Sequence, residues 1–283
     1  MKKLISLILA LLCLFALASC GESTDSTEDL STSDGSVGFS VDVIDVDGGD
    51  AILVRTGGRT MLIDAGYEET ADRLVNYLRD AGVTAVDYLL ITHFDKDHIG
   101  GVPTLVNSLT VKNVLQPVYE HADTKVYSRY ASSITKGSIR VTDVTDAVKL
   151  TLGGCAFEIY PAESTGYNEA DNDFSLVTKV AYDEVSFLFA GDVEADRITE
   201  MMRQSVDWSC TVLKYPHHGS YNKRTENFLK LTDPEYILIP DGTADPVSDK
   251  LEAFLQTRTA QVFRTTAGTI RLSTDGKTVT VNS

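Results

Sequence analysis

The chain has 283 residues, 43% of them apolar, and sets 41 acidic against 25 basic side chains for a formal charge of −16. That length allows one large domain with a sizeable core. The acidic excess, with no basic stripe interleaved with aromatics, argues against a dedicated nucleic-acid-binding module, because a polyanion is repelled at long range.

At the start of the chain Lys2 and Lys3 precede the apolar stretch Leu4 to Leu17, and Leu17-Ala18-Ser19-Cys20 sets small residues before a cysteine. This is the layout of a secretory signal, with an apolar core short of the roughly 20 residues of a membrane span. Its ending resembles a bacterial lipobox, which implies cleavage before Cys20, acylation of the Cys20 thiol and a lipid-anchored, extracytoplasmic protein. Without that resemblance it reads as a signal peptide with an incidental cysteine, or an uncleaved anchor. Residues 1–19 are thus expected to be a signal peptide. Residues 20–36, nearly all Ser, Thr, Asp, Glu and Gly, are expected to form a flexible tether with too little apolar surface to offset the entropy of ordering.

The globular part is expected over 37–283, as a single domain. Apolar runs bounded by turn residues predict strands over 39–46, 51–55 and 60–63, with hairpin turns at Gly48-Gly49 and Gly57-Gly58. Ala71, Leu74, Val75 and Leu78 fall at helical spacing and predict a helix over 68–81 stopped by Gly82, followed by a strand over 86–91. Pro103 suits the first turn of a helix that begins near Val102. The stretch 111–150 is less regular, with a strand over 111–115, a helix around 124–135 and short strands. Strands over 157–160, 175–182 and 185–190 come next, then a helix over 194–204. A strand over 211–214, a helix over 225–231, a strand over 236–239 and a helix over 248–257 lead to closing strands at 262–263, 269–272 and 278–281. Two strand-rich halves, each followed by helices, fit two sheets packed face to face with helices outside. Cys155 and Cys210 lie in or beside apolar segments, where a disulfide and buried free thiols are equally compatible. The closely spaced cysteine pairs of a zinc ribbon are absent.

The strand over 86–91 runs into Thr92-His93-Phe94-Asp95-Lys96-Asp97-His98-Ile99-Gly100-Gly101, which packs two histidines and two carboxylates into six residues. Imidazole and carboxylate bind divalent first-row cations, and a chain reversal at Gly100-Gly101 would let loop ligands converge. Pro216-His217-His218-Gly219 follows another apolar run, so four of the five histidines sit in two loops that follow strands. A strand that ends in a loop fixes its backbone, and ligands carried there can be preset. The fifth, His121, stands apart and reads as a surface or core histidine.

These clusters belong to an ordered set: Leu62-Ile63-Asp64-Ala65-Gly66, His93 to His98, Asn172-Asp173-Phe174-Ser175-Leu176-Val177, Phe189-Ala190-Gly191-Asp192-Val193 and Leu213 to Ser220, preceded by Asp45 to Leu53. The set resembles the metallo-β-lactamase superfamily over nearly all of 37–283, and within it the hydrolase-like domain of ComEC-type competence proteins. Asp47 and Gly48 stand where that branch usually has Gly and Gln, and Asp95 is its variant of a histidine found in most of the superfamily. The resemblance implies an α/β (α+β) fold, a four-layer αββα sandwich. It implies two divalent metal ions, zinc or manganese, with His93 and Asp95 on one, Asp97, His98 and His218 on the other, and Asp192 bridging both with its two oxygens. His217 would contact substrate or support a ligand, and the two adjacent histidines could exchange roles. Asp64 would orient a ligand or the reacting water, or serve only as a turn carboxylate. Asp97, Asp64 and His217 are the expected catalytic residues.

No histidine lies between Phe157 and Val193, so the first cation position would be richer in oxygen and favour harder cations such as manganese. Asn172, Asp173 or Ser175 could line it, or could simply form a polar turn. Ser220 and Tyr221 could meet substrate oxygens, or cap and pack. The implied activity is that of a membrane-anchored, metal-dependent phosphodiesterase or nuclease that activates water. Two alternatives are a cell-wall or phosphocholine esterase, and a lipoprotein that binds metal, phosphate or DNA without turnover. ComEC-type relatives join this domain to a membrane channel and are linked to DNA uptake. Here no run after the signal approaches spanning length.

Overall fold

The computed structural model describes residues 38–167, 170–244 and 246–282. The expected signal peptide, Cys20 and the tether lie outside the described residues. In chain order the first half comprises β1 (Phe39–Val43), β2 (Ile52–Thr56), β3 (Arg59–Ile63), α1 (Ala71–Asp80), β4 (Ala85–Val86), β5 (Tyr88–Leu90), α2 (Lys96–Ile99), α3 (Val102–Ser108), β6 (Thr110–Val111), β7 (Asn113–Pro117), α4 (Lys125–Lys136) and β8 (Arg140–Val144). The second comprises β9 (Val148–Leu152), β10 (Cys155–Tyr160), α5 (Ala170–Asp173), β11 (Val177–Tyr182), β12 (Val185–Phe189), α6 (Ala195–Met201), β13 (Val212–Lys214), α7 (Thr225–Thr232), β14 (Tyr236–Ile239), α8 (Asp249–Leu255) and β15 (Gln261–Arg264). Strands β16 (Ile270–Thr274) and β17 (Val279–Asn282) return to the first sheet, whose order is β17-β16-β1-β2-β3-β5-β7-β8. The second sheet runs β15-β14-β13-β12-β11-β10-β9, and β4 pairs with β6 alone.

Side-chain alternation explains the layering. Successive strand residues point to opposite faces, and these strands are apolar on both. Ile52, Val54, Met61 and Ile63 meet Phe157, Phe187, Phe189 and Val212 between the sheets. Leu53 and Leu62 turn outward into the cluster that includes Leu74, Leu78, Leu105 and Tyr130 of α1, α3 and α4. On the other sheet Leu188, Leu213 and Ile237 turn outward to Ile198, Phe228 and Leu251 of α6, α7 and α8. Helices therefore cover both outer faces, and the fold is the αββα sandwich that the sequence resembles.

Several expectations need correction. Strand β1 stops at Val43, and 44–51 is a long loop rather than a hairpin turn at Gly48-Gly49. That loop is tied down by Gly66 N–H donating to the Asp50 carbonyl at 2.8 Å and Asp50 N–H donating to the Asp97 carbonyl at 3.1 Å. Gly100-Gly101 is not a chain reversal, since both residues have right-handed helical backbone between α2 and α3. Gly101 serves close packing instead, because a Cβ there would collide with the Ala65 carbonyl. Cys155 and Cys210 are free, buried thiols. They belong to different apolar clusters, one between the sheets and one outside the second sheet, so no disulfide joins them.

Gly57-Gly58 is a true two-residue hairpin turn between β2 and β3, with φ of +49° and +70° as a type I′ turn requires. A Cβ on Gly57 would also strike the Gly153 backbone. Gly57→Ala is therefore expected to destabilise the protein by about 1–3 kcal/mol. Urea unfolding reads this directly, and an unchanged midpoint would show the turn to be dispensable.

The topology aims the polar loops at one edge. Strands β3, β5, β7 and β8 run parallel in the first sheet, and β12, β13, β14 and β15 run parallel in the second. Loops at the carboxyl ends of β3, β5, β12 and β13 carry Asp64, residues 93–98, Asp192 and residues 217–218, where ligands characteristically bind parallel sheets. Among the described residues no helix is long and apolar enough to cross a membrane.

Candidate metal centre

The loop after β5 is clamped before any ligand is considered. Leu176 N–H donates to the Thr92 carbonyl at 2.9 Å, and Phe94 N–H donates to the Tyr119 hydroxyl at 2.9 Å. The Tyr119 ring stacks on Phe174 at 4.7 Å. One turn of α2 then presents Asp97 and His98. Asp64, His217 and His218 all have left-handed backbone, with φ of +59°, +47° and +50°. Such strain costs about 1–3 kcal/mol per residue and persists only where the surroundings over-determine it.

Three imidazoles are held the same way. His98 Nδ1 lies 2.7 Å from Asp64 Oδ2. His218 Nδ1 donates to the Pro240 carbonyl at 2.9 Å. His93 Nδ1 lies 3.1 Å from Thr92 Oγ1 and 3.4 Å from Ser175 Oγ. Each ring is thus fixed through Nδ1 and turns Nε2 inward, as ligating histidines with an outer partner do. Asp64 is itself fixed, accepting from Thr92 N–H at 2.8 Å and Thr92 Oγ1 at 2.6 Å.

The inward atoms converge. Asp97, His98, Asp192 and His218 each offer one ligand atom within 4.8 Å of all the others. Asp192 Oδ2 lies 3.1 Å from both His98 Nε2 and His218 Nε2, and Asp97 Oδ2 lies 3.2 Å from His218 Nε2. Yet among the described residues His218 Nε2 and His93 Nε2 are buried without a hydrogen-bond partner. A buried polar atom left unmatched costs about 1–3 kcal/mol, and a cation among these atoms would satisfy it. The donor set of imidazole and carboxylate suits a divalent cation. His93 and Asp95 form a neighbouring pair at 3.7 Å, with the His93 ring 4.1 Å from that of His98. Asp95 is outside the four-residue group and substantially exposed.

Charge in the site follows the same geometry. Burial alone would lower the imidazole pKa of His98 and His218. The Asp192 carboxylate, with Asp64 and Asp97 for His98 and with Asp97 and Asp50 for His218, outweighs it, holding His98 well above its ordinary 6.5 and pushing His218 up to about 10. Burial would raise Asp192 and Asp97, but the facing histidines depress both.

His217 sits at the rim with its side chain about one-third exposed. Its Nδ1 lies 2.5 Å from Glu194 Oε1, and Asn222 Nδ2 donates to Glu194 Oε2 at 2.7 Å. Burial would lower its pKa, but the Glu194 bond and the Asp192 charge raise it. Among the described residues no hydrogen bond engages its Nε2, and the ring stands outside the cluster that holds His218.

The other candidate residues divide clearly by their bonds. Asp173 accepts from Glu194 N–H and Arg197 N–H at the start of α6 and does not reach the cluster. Ser175 Oγ accepts from Asp192 N–H at 3.0 Å and so fixes the backbone of a clustered residue. Asn172 Nδ2 lies 3.5 Å from His217 Nδ1. The Tyr221 hydroxyl turns to Glu226, and the Ser220 carbonyl accepts from the Tyr215 hydroxyl. His121 packs on the Tyr127 ring at 3.8 Å, apart from the ligands. A cavity of about 740 Å³ beside α6, lined by Tyr160, Glu163, Tyr167, Glu200 and Arg203, includes none of the four clustered residues.

Three residues of the site are not apparent from the sequence. Glu194 anchors His217, while Asp50 and Lys214 form a buried ion pair behind the cluster. A lysine closing an apolar strand just ahead of two histidines is the available signal for Lys214; Glu194 resembles an ordinary first-turn helix acid.

A family model described as the metallo-beta-lactamase superfamily matches residues 44–240. The ComE operon protein 3 of Bacillus subtilis is 26% identical over 80% of this chain and 31% of its own length. The competence protein ComA of Neisseria gonorrhoeae is 27% identical over 75% of this chain and 28% of its own. The chain thus spans less than a third of these curated relatives. Among solved structures, the metallo-beta-lactamase fold protein YhfI of Bacillus subtilis superposes with a TM-score of 0.52 at 12% identity, covering 86% of this chain and all of that one. With the sandwich, the loop ligands and the family match in agreement, the chain belongs to the metallo-β-lactamase superfamily and its sequence relatives include ComEC-type competence proteins.

Proposed function

We propose that the protein is a metal-dependent hydrolase, with phosphodiesters, nucleic acid among them, as substrates. The observation that carries this reading is the meeting of Asp97, His98, Asp192 and His218 atoms within 4.8 Å, with buried imidazole nitrogens left unmatched. These four residues would hold one divalent cation, zinc or manganese, and His93 with Asp95 a second. Bound there, such cations supply Lewis acidity and make water a nucleophile near neutral pH. Asp64 keeps the His98 ring in one orientation, and Asp97, with its side chain 17% exposed the least buried of the four, would be the one that meets entering water. His217, held through Nδ1 by Glu194 and with no bond to Nε2 among the described residues, would pass a proton to a leaving oxygen at the rim.

Membrane attachment through lipid on Cys20 is part of the same proposal, and mass spectrometry of the membrane fraction tests it. The activity is tested with bis-nitrophenyl phosphate. Turnover is expected with manganese or zinc, to vanish with a chelator and to return on adding metal back. Metal binding without turnover would favour a non-catalytic binder. Parallel assays on single-stranded DNA, duplex DNA, nucleotides and phosphocholine esters separate the nuclease from the esterase reading.

A further inference from the structure

Behind the ligand cage stands a lysine with no exposure to solvent. Lys214 closes β13, donates to the Gly191 carbonyl at 2.8 Å, and contacts Asp50 Oδ2 and, at 3.3 Å, Asp192 Oδ1. Among the described residues two groups have ligand atoms close enough for a cation, and they share His98. One is Asp97, His98, Asp192 and His218; the other is Asp50, Asp64 and His98.

The two positions differ in what already fills them. In the second, His98 Nδ1 and Asp64 Oδ2 are bonded to each other at 2.7 Å, and Asp50 already faces an ammonium group. A divalent cation there would sit against the positive charge of Lys214 in a medium of low dielectric, where like charges repel strongly. In the first, among the described residues His218 Nε2 has no hydrogen-bond partner, and Lys214 reaches only the far oxygen of one of the four, Asp192 Oδ1 at 3.3 Å. Lys214 also settles how Asp192 is presented. Oδ1 faces Lys214 and accepts from His217 N–H at 3.2 Å, so Oδ2 is the oxygen left toward the two imidazoles.

We propose that Lys214 is a resident cation that bars metal from the Asp50–Asp64–His98 position, directs it to Asp97, His98, Asp192 and His218, and makes Asp192 a one-oxygen ligand. The inference rests on the metal-binding reading above. Lys214 and Asp50 are positioning residues in it and need touch neither metal nor substrate.

The test is crystallographic location of manganese by anomalous scattering in the full, unsubstituted chain. A peak among Asp97, His98, Asp192 and His218 is expected, with none among Asp50, Asp64 and His98. A peak at the latter position would overturn the proposal alone. No peak at either would overturn the metal reading and this proposal with it. As an independent measure, Lys214→Met should bind one more manganese per chain after equilibrium dialysis, and Asp50→Asn combined with Lys214→Met should return to the unsubstituted value. A folded Lys214→Met variant with unchanged stoichiometry would contradict the exclusion, and if that variant does not fold, the anomalous map still decides.

Discussion

Asp192→Ala is expected to abolish most metal binding and to lower hydrolysis by more than about 100-fold, beyond the roughly 10–100-fold typical of residues that only support a ligand. Asp192 Oδ2 lies 3.1 Å from both His98 Nε2 and His218 Nε2. Its removal takes away the carboxylate charge that both imidazoles face. The fold should survive, because the Asp192 N–H keeps its bond to Ser175 and Lys214 keeps Asp50 and the Gly191 carbonyl. Asp64→Asn, which perturbs the bonds to His98 Nδ1 and Thr92 but removes none of the four clustered residues, should fall within the 10–100-fold range. Elemental analysis and circular dichroism of the two variants check the ranking. Unchanged metal content in Asp192→Ala would remove Asp192 from the ligand set.

Metal affinity should rise steeply with pH. In the metal-free protein the His98 pKa lies well above 6.5 and that of His218 near 10, so both rings are protonated at neutral pH. A ligating imidazole must be neutral, and cation binding therefore releases protons. Each proton released strengthens binding about tenfold per pH unit below the pKa, so two give about 100-fold between pH 6 and 7. Calorimetry in buffers of different ionisation enthalpy counts these protons, and affinity flat from pH 6 to 8 would contradict the assignment. Stability without metal follows the opposite course at high pH. The raised histidines contribute fully below 6.5, and that contribution is lost as pH climbs through about 10. The depressed Asp192 and Asp97 contribute above 3.8 and lose that contribution as pH falls below it. The contribution of these four groups to stability without metal should therefore be largest between about pH 4 and 6.5.

The layers of the fold are legible in the sequence because β2, β3 and β12 are apolar on both faces, a pattern that only a strand covered on both sides requires. Strand β8 is harder to read, since residues 140–143 are exposed and no apolar alternation marks it. The loop 44–51 is misleading because paired glycines signal tight turns, whereas its conformation is set by distant backbone bonds from Gly66 and to Asp97. In the site, the residue types and their order after strands point to Asp97, His98, Asp192 and His218, which the structure gathers. Asp50 and Lys214 are hidden for a physical reason: a buried ion pair joins positions far apart in the chain, and neither partner signals the other locally. Asp173 misleads in the opposite sense, because a carboxylate beside the expected ligands also serves as the bond acceptor at the start of α6.

Loops from two sheets must close around a divalent cation if this chemistry is to operate. Equilibrium dialysis of the full chain against manganese or zinc at pH 8, followed by elemental analysis, tests that requirement most directly. At least one cation retained per chain, and lost when His98 and His218 are both replaced by alanine, is the predicted result. No more metal on the unsubstituted protein than on that double variant would contradict it.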